Sequence, residues 1–291
     1  MAVITIGGDL AVRRLGYGAM RLTGPQVWGE YPDRAGGIAL LREVVGSGIT
    51  FIDTADVYGP HANEILIHDA LHPYPDDLVI ATKGGFVRGG FDYSTLGAVG
   101  NVNYLRQSAH MSARRLGVDR IDLYYLHSGQ ATDAPFEDQV GTLAELRDAG
   151  LIRHIGLSNV TVEQFHAARA IVDIAAVTAH YNIAVRRGAG LMHAAEAAGV
   201  VFSPWHPVSI GEGPLGPRAQ EAVAPIARKY GATARQVALA WQLHRSPTTL
   251  PIPGTTSSAH LRENLGAAAI ALSPEEVATL TAVAPEDDAG Q

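Results

Sequence analysis

Short apolar runs alternate along this chain with stretches whose apolar residues recur every three or four positions. Val3–Ile6 and Leu10–Arg13 flank Gly7-Gly8-Asp9, which predicts an N-terminal β-hairpin. Residues 15–18 read as a short strand, and residues 34–47 then carry Ile38, Leu41, Val44 and Val45 at helical spacing before Gly48. Ile49, Phe51 and Ile52 form the next buried strand, and further strand-like runs fall at 78–82, 121–126, 152–157, 174–178, 200–202 and 249–252. Helical patterns lie between them at 104–116, 139–149, 162–170, 191–198 and 233–244; in the last, Val237, Ala240, Trp241 and His244 follow i, i+3, i+4, i+7. About eight β/α repeats predict a closed (β/α)8 TIM barrel of parallel strands behind an N-terminal β-hairpin. The Gly/Pro-rich tracts at 84–100 and 210–217 read as long loops at the strand ends, and residues 1–291 as a single domain.

Composition narrows the setting. No apolar run approaches the roughly 20 residues that span a bilayer, and no basic, then apolar leader opens the chain. The absence of Cys excludes disulfides, thiolate chemistry and Cys-ligated metals and makes the cytoplasm the expected location. A net charge of -7 argues against a nucleic-acid surface while leaving room for a local phosphate pocket. The expected partner is a small molecule, with no nucleic acid or membrane, and the expected state a monomer.

In a parallel barrel the chemistry gathers where strands end, so the residue closing each strand is informative. One run stops at Asp53, with Tyr58 five residues later beside the turn pair Gly59-Pro60. The next, Val79-Ile80-Ala81-Thr82, leads into Lys83, and Leu123-Tyr124-Tyr125-Leu126 leads into His127. Three titratable groups then ring one face with a phenol above them. A lysine leaving a buried strand is costly unless paired, and Asp53 is the available counter-charge.

These residues resemble the signatures of the aldo-keto reductase family, in the family's order: Phe51-Ile52-Asp53-Thr54-Ala55 with Tyr58-Gly59, Ala81-Thr82-Lys83, Asp119 to His127, Ile155-Gly156-Leu157-Ser158-Asn159, and Glu263-Asn264. The resemblance implies a nicotinamide cofactor extended across the strand ends and a catalytic tetrad of Asp53, Tyr58, Lys83 and His127. The chemistry agrees. Hydride reduction of a carbonyl leaves charge on oxygen, Tyr58 supplies the proton, and Lys83, held by Asp53, is expected to draw the phenol below its usual titration near 10. His127 either orients the carbonyl oxygen or passes the proton.

The same resemblance places Ser158 and Asn159 on the nicotinamide carboxamide, with Thr178 where the family has Gln, and Trp205 against the nicotinamide ring. Ser209 and Gly211 start a loop over the pyrophosphate, and Gly254, Thr255, Thr256, His260, Glu263 and Asn264 form the adenosine segment. Many relatives carry Lys and Arg where this chain has Gly254 and His260; Thr255, Thr256 and nearby Arg262 can still donate to a 2'-phosphate, so NADPH is expected by a smaller margin than in those relatives, with NADH possible. Met20, Arg21 and Trp28 are expected to wall the substrate pocket, Arg21 as an anion contact or simply a solvated cation. The first loop and His72-Pro73-Tyr74-Pro75 are similar to a bacterial subgroup that includes pyridoxal reductases, which implies pyridoxal to pyridoxine as a candidate reaction. Two other classes are weighed: a nicotinamide-nucleotide-binding regulatory barrel with little turnover, and a metal-dependent barrel hydrolase using Asp53, Asp56, His61 and His127. The hydrolase lacks a His-x-His pair and sets Lys83 against its cation, so no metal is expected.

Overall fold

Seven parallel strands stand side by side in a computed structural model that describes residues 2–286; the single-domain expectation spans 1–291, and Met1 and residues 287–291 lie outside the described residues. The hairpin pairs β1 (Val3–Ile6) with β2 (Leu10–Arg13). The sheet runs β11-β10-β9-β8-β5-β4-β3 through β3 (Tyr17–Gly18), β4 (Phe51–Asp53), β5 (Val79–Gly84), β8 (Ile121–Leu126), β9 (Ile152–Ser158), β10 (Ile174–His180) and β11 (Val201–Trp205). An eighth stave closes the ring. Leu250 N–H donates to Phe202 O at 2.8 Å and Gly16 N–H to Pro251 O at 3.0 Å. Residues 249–252 hold only a parallel bridge between Thr249 and Phe202, because Pro251 and Pro253 have no N–H with which to extend a ladder.

Alternation along the strands produces two kinds of burial. Phe51, Val79, Ala81, Leu123, Tyr125, Ala176 and Val201 fill the barrel interior together with Ile6, Leu10 and Val12, so the N-terminal hairpin covers the opening where the strands begin. Ile52, Ile80, Tyr124, Ile155 and Val177 face outward onto the helices. These are α1 (Arg34–Gly46), α2 (Ala62–Leu71), α3 (Val102–Leu116), α4 (Phe136–Asp148), α5 (Val162–Ile171), α6 (Ala189–Ala197), α7 (Gly216–Tyr230), α8 (Ala234–Arg245), α9 (Ser258–Gly266) and α10 (Pro274–Thr281). Among the described residues no helix is long and apolar enough to cross a membrane.

Four helices escape the sequence pattern for local reasons. The α2 helix buries Asn63 and Glu64 and has no side-chain N-cap, so neither its polarity pattern nor its start is visible. The α7 helix begins at Gly216-Pro217 and carries Pro225 inside it. The α9 and α10 helices are short. The tract at 84–100 also differs from the expected loop: Phe86–Arg88 (β6) pairs with Leu96–Ala98 (β7) as an antiparallel hairpin over the open end of the barrel.

A polar network props up the turn that bears Tyr58. Asn63 Nδ2 donates to Ala19 O and Leu22 O, each at 2.9 Å, and its Oδ1 accepts from Thr54 Oγ1 at 2.6 Å. Glu64, fully buried, accepts from Arg115 Nε and Thr82 Oγ1, each at 2.6 Å. Asp56 Oδ2 accepts from Ser108 Oγ at 2.6 Å while its Oδ1 has no partner. Burial, then the charge of Glu64, pushes the Asp56 carboxyl up to about 7. The folded protein therefore keeps a proton that the unfolded chain loses near 4, and stability falls as pH rises from about 4 to 7, then levels. We expect Asp56→Asn to lack that slope, gaining relative to the parent by on the order of a few kcal/mol across the window. Urea unfolding of both proteins at pH 5 and 7.5 checks this; parallel pH dependence would show that Asp56 is not the titrating group.

Candidate active site

Asp53 ends β4, Lys83 stands one residue before the end of β5 and His127 follows β8, on three neighbouring staves; Lys83 lies two residues beyond Ala81, the register partner of Asp53, and His127 two beyond Tyr125, the register partner of Lys83. Lys83 Nζ donates to Asp53 Oδ1 at 2.5 Å and to Thr54 O at 2.8 Å, with both side chains almost wholly buried. Burial pushes the Asp53 carboxyl up and the Lys83 ammonium pulls it back. Tyr58 lies over this pair, its ring centroid 5.4 Å from Lys83 Nζ and 6.1 Å from that of His127. One expectation is corrected here. Burial, followed by the negative charge of Asp53, raises the Tyr58 phenol well above 10. The reason is geometric: Lys83 is bonded to Asp53, so the phenol meets an ion pair instead of a lone cation. His127 moves the other way, well below 6.5, through burial and then the Lys83 charge, and its Nδ1 is buried without a partner.

All four residues open onto one cleft of about 1890 Å³. A single drug-sized ligand needs roughly 300–1,000 Å³, so the cleft has room for a dinucleotide and a substrate together. Ser158, Asn159, Thr178, Trp205, Ser209, Gly211, Gly254, Thr255, Thr256, His260, Glu263 and Asn264 all line it, as do Met20 and Arg21. Asn159 holds a left-handed backbone (φ 53), and its amide is fixed from both sides: Trp205 Nε1 donates to Oδ1 at 3.1 Å and Nδ2 donates to Ser158 Oγ at 2.9 Å. Thr178, at the Gln position, leaves its buried Oγ1 unpartnered.

Trp28 is the exception among the expected residues. It is not part of the cleft lining; Arg88 sits between the Trp28 and Tyr93 rings, 5.3 and 5.1 Å from their centroids, and donates to Gln26 O and Val27 O. Those bonds hold Val27 at φ 56, a strained setting for a β-branched residue, and turn its loop so that Gln26 and Val27 face the cleft instead. Phe86, Tyr93 and Leu96 from the β6–β7 hairpin supply the apolar walls. The sequence offered no signal for them beyond an aromatic-bearing glycine-rich tract. At the far end Arg235 lines the cleft beside His260, whereas Arg262 turns away to Glu43 at 2.6 Å. Arg235 stands in the first turn of α8 and belongs to none of the motifs that the sequence displays.

The donors suit a nicotinamide dinucleotide: hydroxyl and carboxamide groups near the tetrad, glycines along the loop that follows β11, and cations with threonines at the far end. The hydrolase ligand set fails on geometry. Among the described residues the only His, Asp and Glu trio close enough to share a cation is His180, His206 and Glu212, so Asp53, Asp56, His61 and His127 do not converge.

A parallel (β/α)8 barrel with an Asp-Tyr-Lys-His group at its strand ends and a dinucleotide-sized cleft defines a nicotinamide-dependent oxidoreductase of carbonyl groups. The aldo/keto reductase family profile matches residues 14–285, and the chain belongs to that family. It is 42% identical over 285 residues to pyridoxine 4-dehydrogenase of Escherichia coli K12, covering 96% of this chain and 97% of that one. In structure it is similar to a thermostable aldo-keto reductase solved with the inhibitor epalrestat (TM-score 0.85, 29% identity, 98% and 100% coverage). It is also similar to an aldo/keto reductase from Klebsiella pneumoniae solved with NADP and acetate (TM-score 0.77, 25% identity, 97% and 94% coverage).

Proposed function

We propose that this protein uses NADPH to reduce pyridoxal to pyridoxine, with Tyr58 as the proton donor. The observation that carries the reaction type is that Tyr58, the Lys83–Asp53 pair and His127 face one cleft that Arg235 and His260 also line. NADPH, when bound, supplies the hydride that goes to the carbonyl carbon. The residues do the rest. Tyr58, kept protonated by its surroundings, gives its proton to the carbonyl oxygen. His127, kept neutral, orients that oxygen through one N–H and is too weak a base to hold the proton. Ser158 and Asn159 anchor the carboxamide, and Trp205 fixes Asn159 while offering a flat face. For substrate, Phe86 and Tyr93 provide aromatic walls and Arg21 a cation toward a hydroxylated pyridine.

Substrate choice is tested by comparing pyridoxal with benzaldehyde. A polar ring held by Arg21 should raise kcat/KM about tenfold over the plain ring, one charged hydrogen bond's worth. An equal or lower value would withdraw pyridoxal while leaving the reductase activity standing. Cofactor choice is tested by titrating both nucleotides. The Arg235 guanidinium and the His260 ring are the groups available to the 2'-phosphate, one as a cation and one as a ring N–H donor, so Arg235→Ala and His260→Ala should each weaken NADPH several-fold to about tenfold and leave NADH nearly unchanged. Equal losses for the two nucleotides would mean that neither residue reads the phosphate.

A further inference from the structure

Two imidazoles and a carboxylate that carbonyl reduction does not use converge on the cleft from three separate stretches of chain. His180 ends β10, His206 follows β11 with a left-handed backbone (φ 54), and Glu212 stands in the loop before α7. Glu212 Oε2 meets His180 Nε2 at 2.9 Å and Oε1 meets His206 Nδ1 at 2.8 Å; the ligand-type atoms of all three lie within 4.8 Å of one another. Asn182 Nδ2 donates to the same Oε2 at 3.1 Å and to His206 O at 3.2 Å, which orients the carboxylate. The His180 ring stacks on Trp205 with centroids 4.0 Å apart and planes 15° from parallel, so its direction is set as well.

We propose that His180, His206 and Glu212 form a binding site for a borderline divalent cation of the Zn²⁺, Co²⁺ or Ni²⁺ type, with an open coordination position facing the cleft. Two imidazole nitrogens and one carboxylate are the donor set of open three-ligand zinc sites. Bonds of roughly 2.0–2.1 Å to a tetrahedral ion place ligand atoms about 3.3 Å apart, inside the range that these three already span, so side-chain shifts of about an ångström complete the site. A neutral imidazole presents the same nitrogen as a ligand in its other tautomer, and Asn182 already acts as an outer-shell donor. Occupancy ties the loop carrying His206 and Glu212 to the end of β10.

Isothermal titration of untagged, cofactor-free protein with ZnCl2, with visible spectra in CoCl2, tests this site without relying on the substrate reading. One Zn²⁺ per chain is expected, with Co²⁺ bands of low coordination number. His180→Ala and Glu212→Gln should weaken Zn²⁺ at least tenfold and remove the bands, with His206→Ala, at the most exposed of the three, as a further variant should either fold poorly. Asn182→Ala should weaken binding by a smaller factor. His193→Ala, at a separate His–Glu contact, should change nothing. No Zn²⁺ binding by the parent, or binding that persists in folded variants of His180, His206 and Glu212, overturns the proposal.

Discussion

We expect Tyr58→Phe to lower turnover in carbonyl reduction by about 10² to 10⁴-fold while leaving NADPH affinity within about twofold, because one positioned proton donor contributes an effect of that size. The substitution removes only the hydroxyl, and no side-chain hydrogen bond of that hydroxyl is found among the described residues, so little packing is disturbed. The raised phenol adds a pH signature. Burial and the Asp53 charge keep the hydroxyl protonated well past 10, so the reduction rate should show no loss assignable to Tyr58 anywhere below about pH 10. The reverse oxidation needs the phenolate and should climb with pH over the same range. Steady-state profiles in both directions, beside fluorescence titration of NADPH, make the check. Near-normal turnover in the variant would remove Tyr58 from the mechanism, and a reduction limb falling near pH 8 would contradict the environment described for it.

Breaking the Lys83–Asp53 pair should be the most damaging substitution for the fold and no less so for activity. Lys83→Met leaves both oxygens of a buried carboxylate without a partner, since Asp53 Oδ2 already has none. Removing one member of such a pair costs about 3–5 kcal/mol at neutral pH. The sign follows from the carboxylate. Without the ammonium its folded pKa rises further above the ordinary 3.8, so the loss grows as pH increases through the range above 4 and is smaller at pH 5 than at pH 7. Asp53→Asn combined with Lys83→Met replaces two buried charges by neutral groups of similar size and should regain most of the stability, while turnover stays at least about 10²-fold down. Urea unfolding at the two pH values and kcat for the three proteins decide it. A Lys83→Met protein as stable as the parent would mean that the pair contributes nothing to the fold, and recovery of activity in the double variant would remove Lys83 from the chemistry.

The barrel, its hairpin and the placing of the four proposed catalytic residues at one end of it were legible in the sequence because each depends on a local rule. Strand burial gives continuous apolar runs, and the residue that ends such a run stands at the barrel mouth, which is how Asp53, Lys83 and His127 could be singled out. What the sequence could not carry was the outcome of contacts between distant segments. The direction of the Tyr58 shift depends on whether Lys83 meets the phenol alone or already bonded to Asp53, and that is decided by a 2.5 Å contact between β4 and β5. Trp28 lost its place in the cleft to Gln26 and Val27, whose carbonyls Arg88, some sixty residues away, bonds while packing against the Trp28 ring. Arg235 and Arg262 are equally cationic on paper, yet Glu43 in α1 takes one and leaves the other facing the cleft. His180, His206 and Glu212 belong to no motif at all, and only the side-by-side register of β10 and β11, with the loop folded back over them, brings the three together. Short-range burial patterns determined where chemistry is available on this chain, and long-range charge pairing and packing decided which of those groups reach the cleft and in what protonation state.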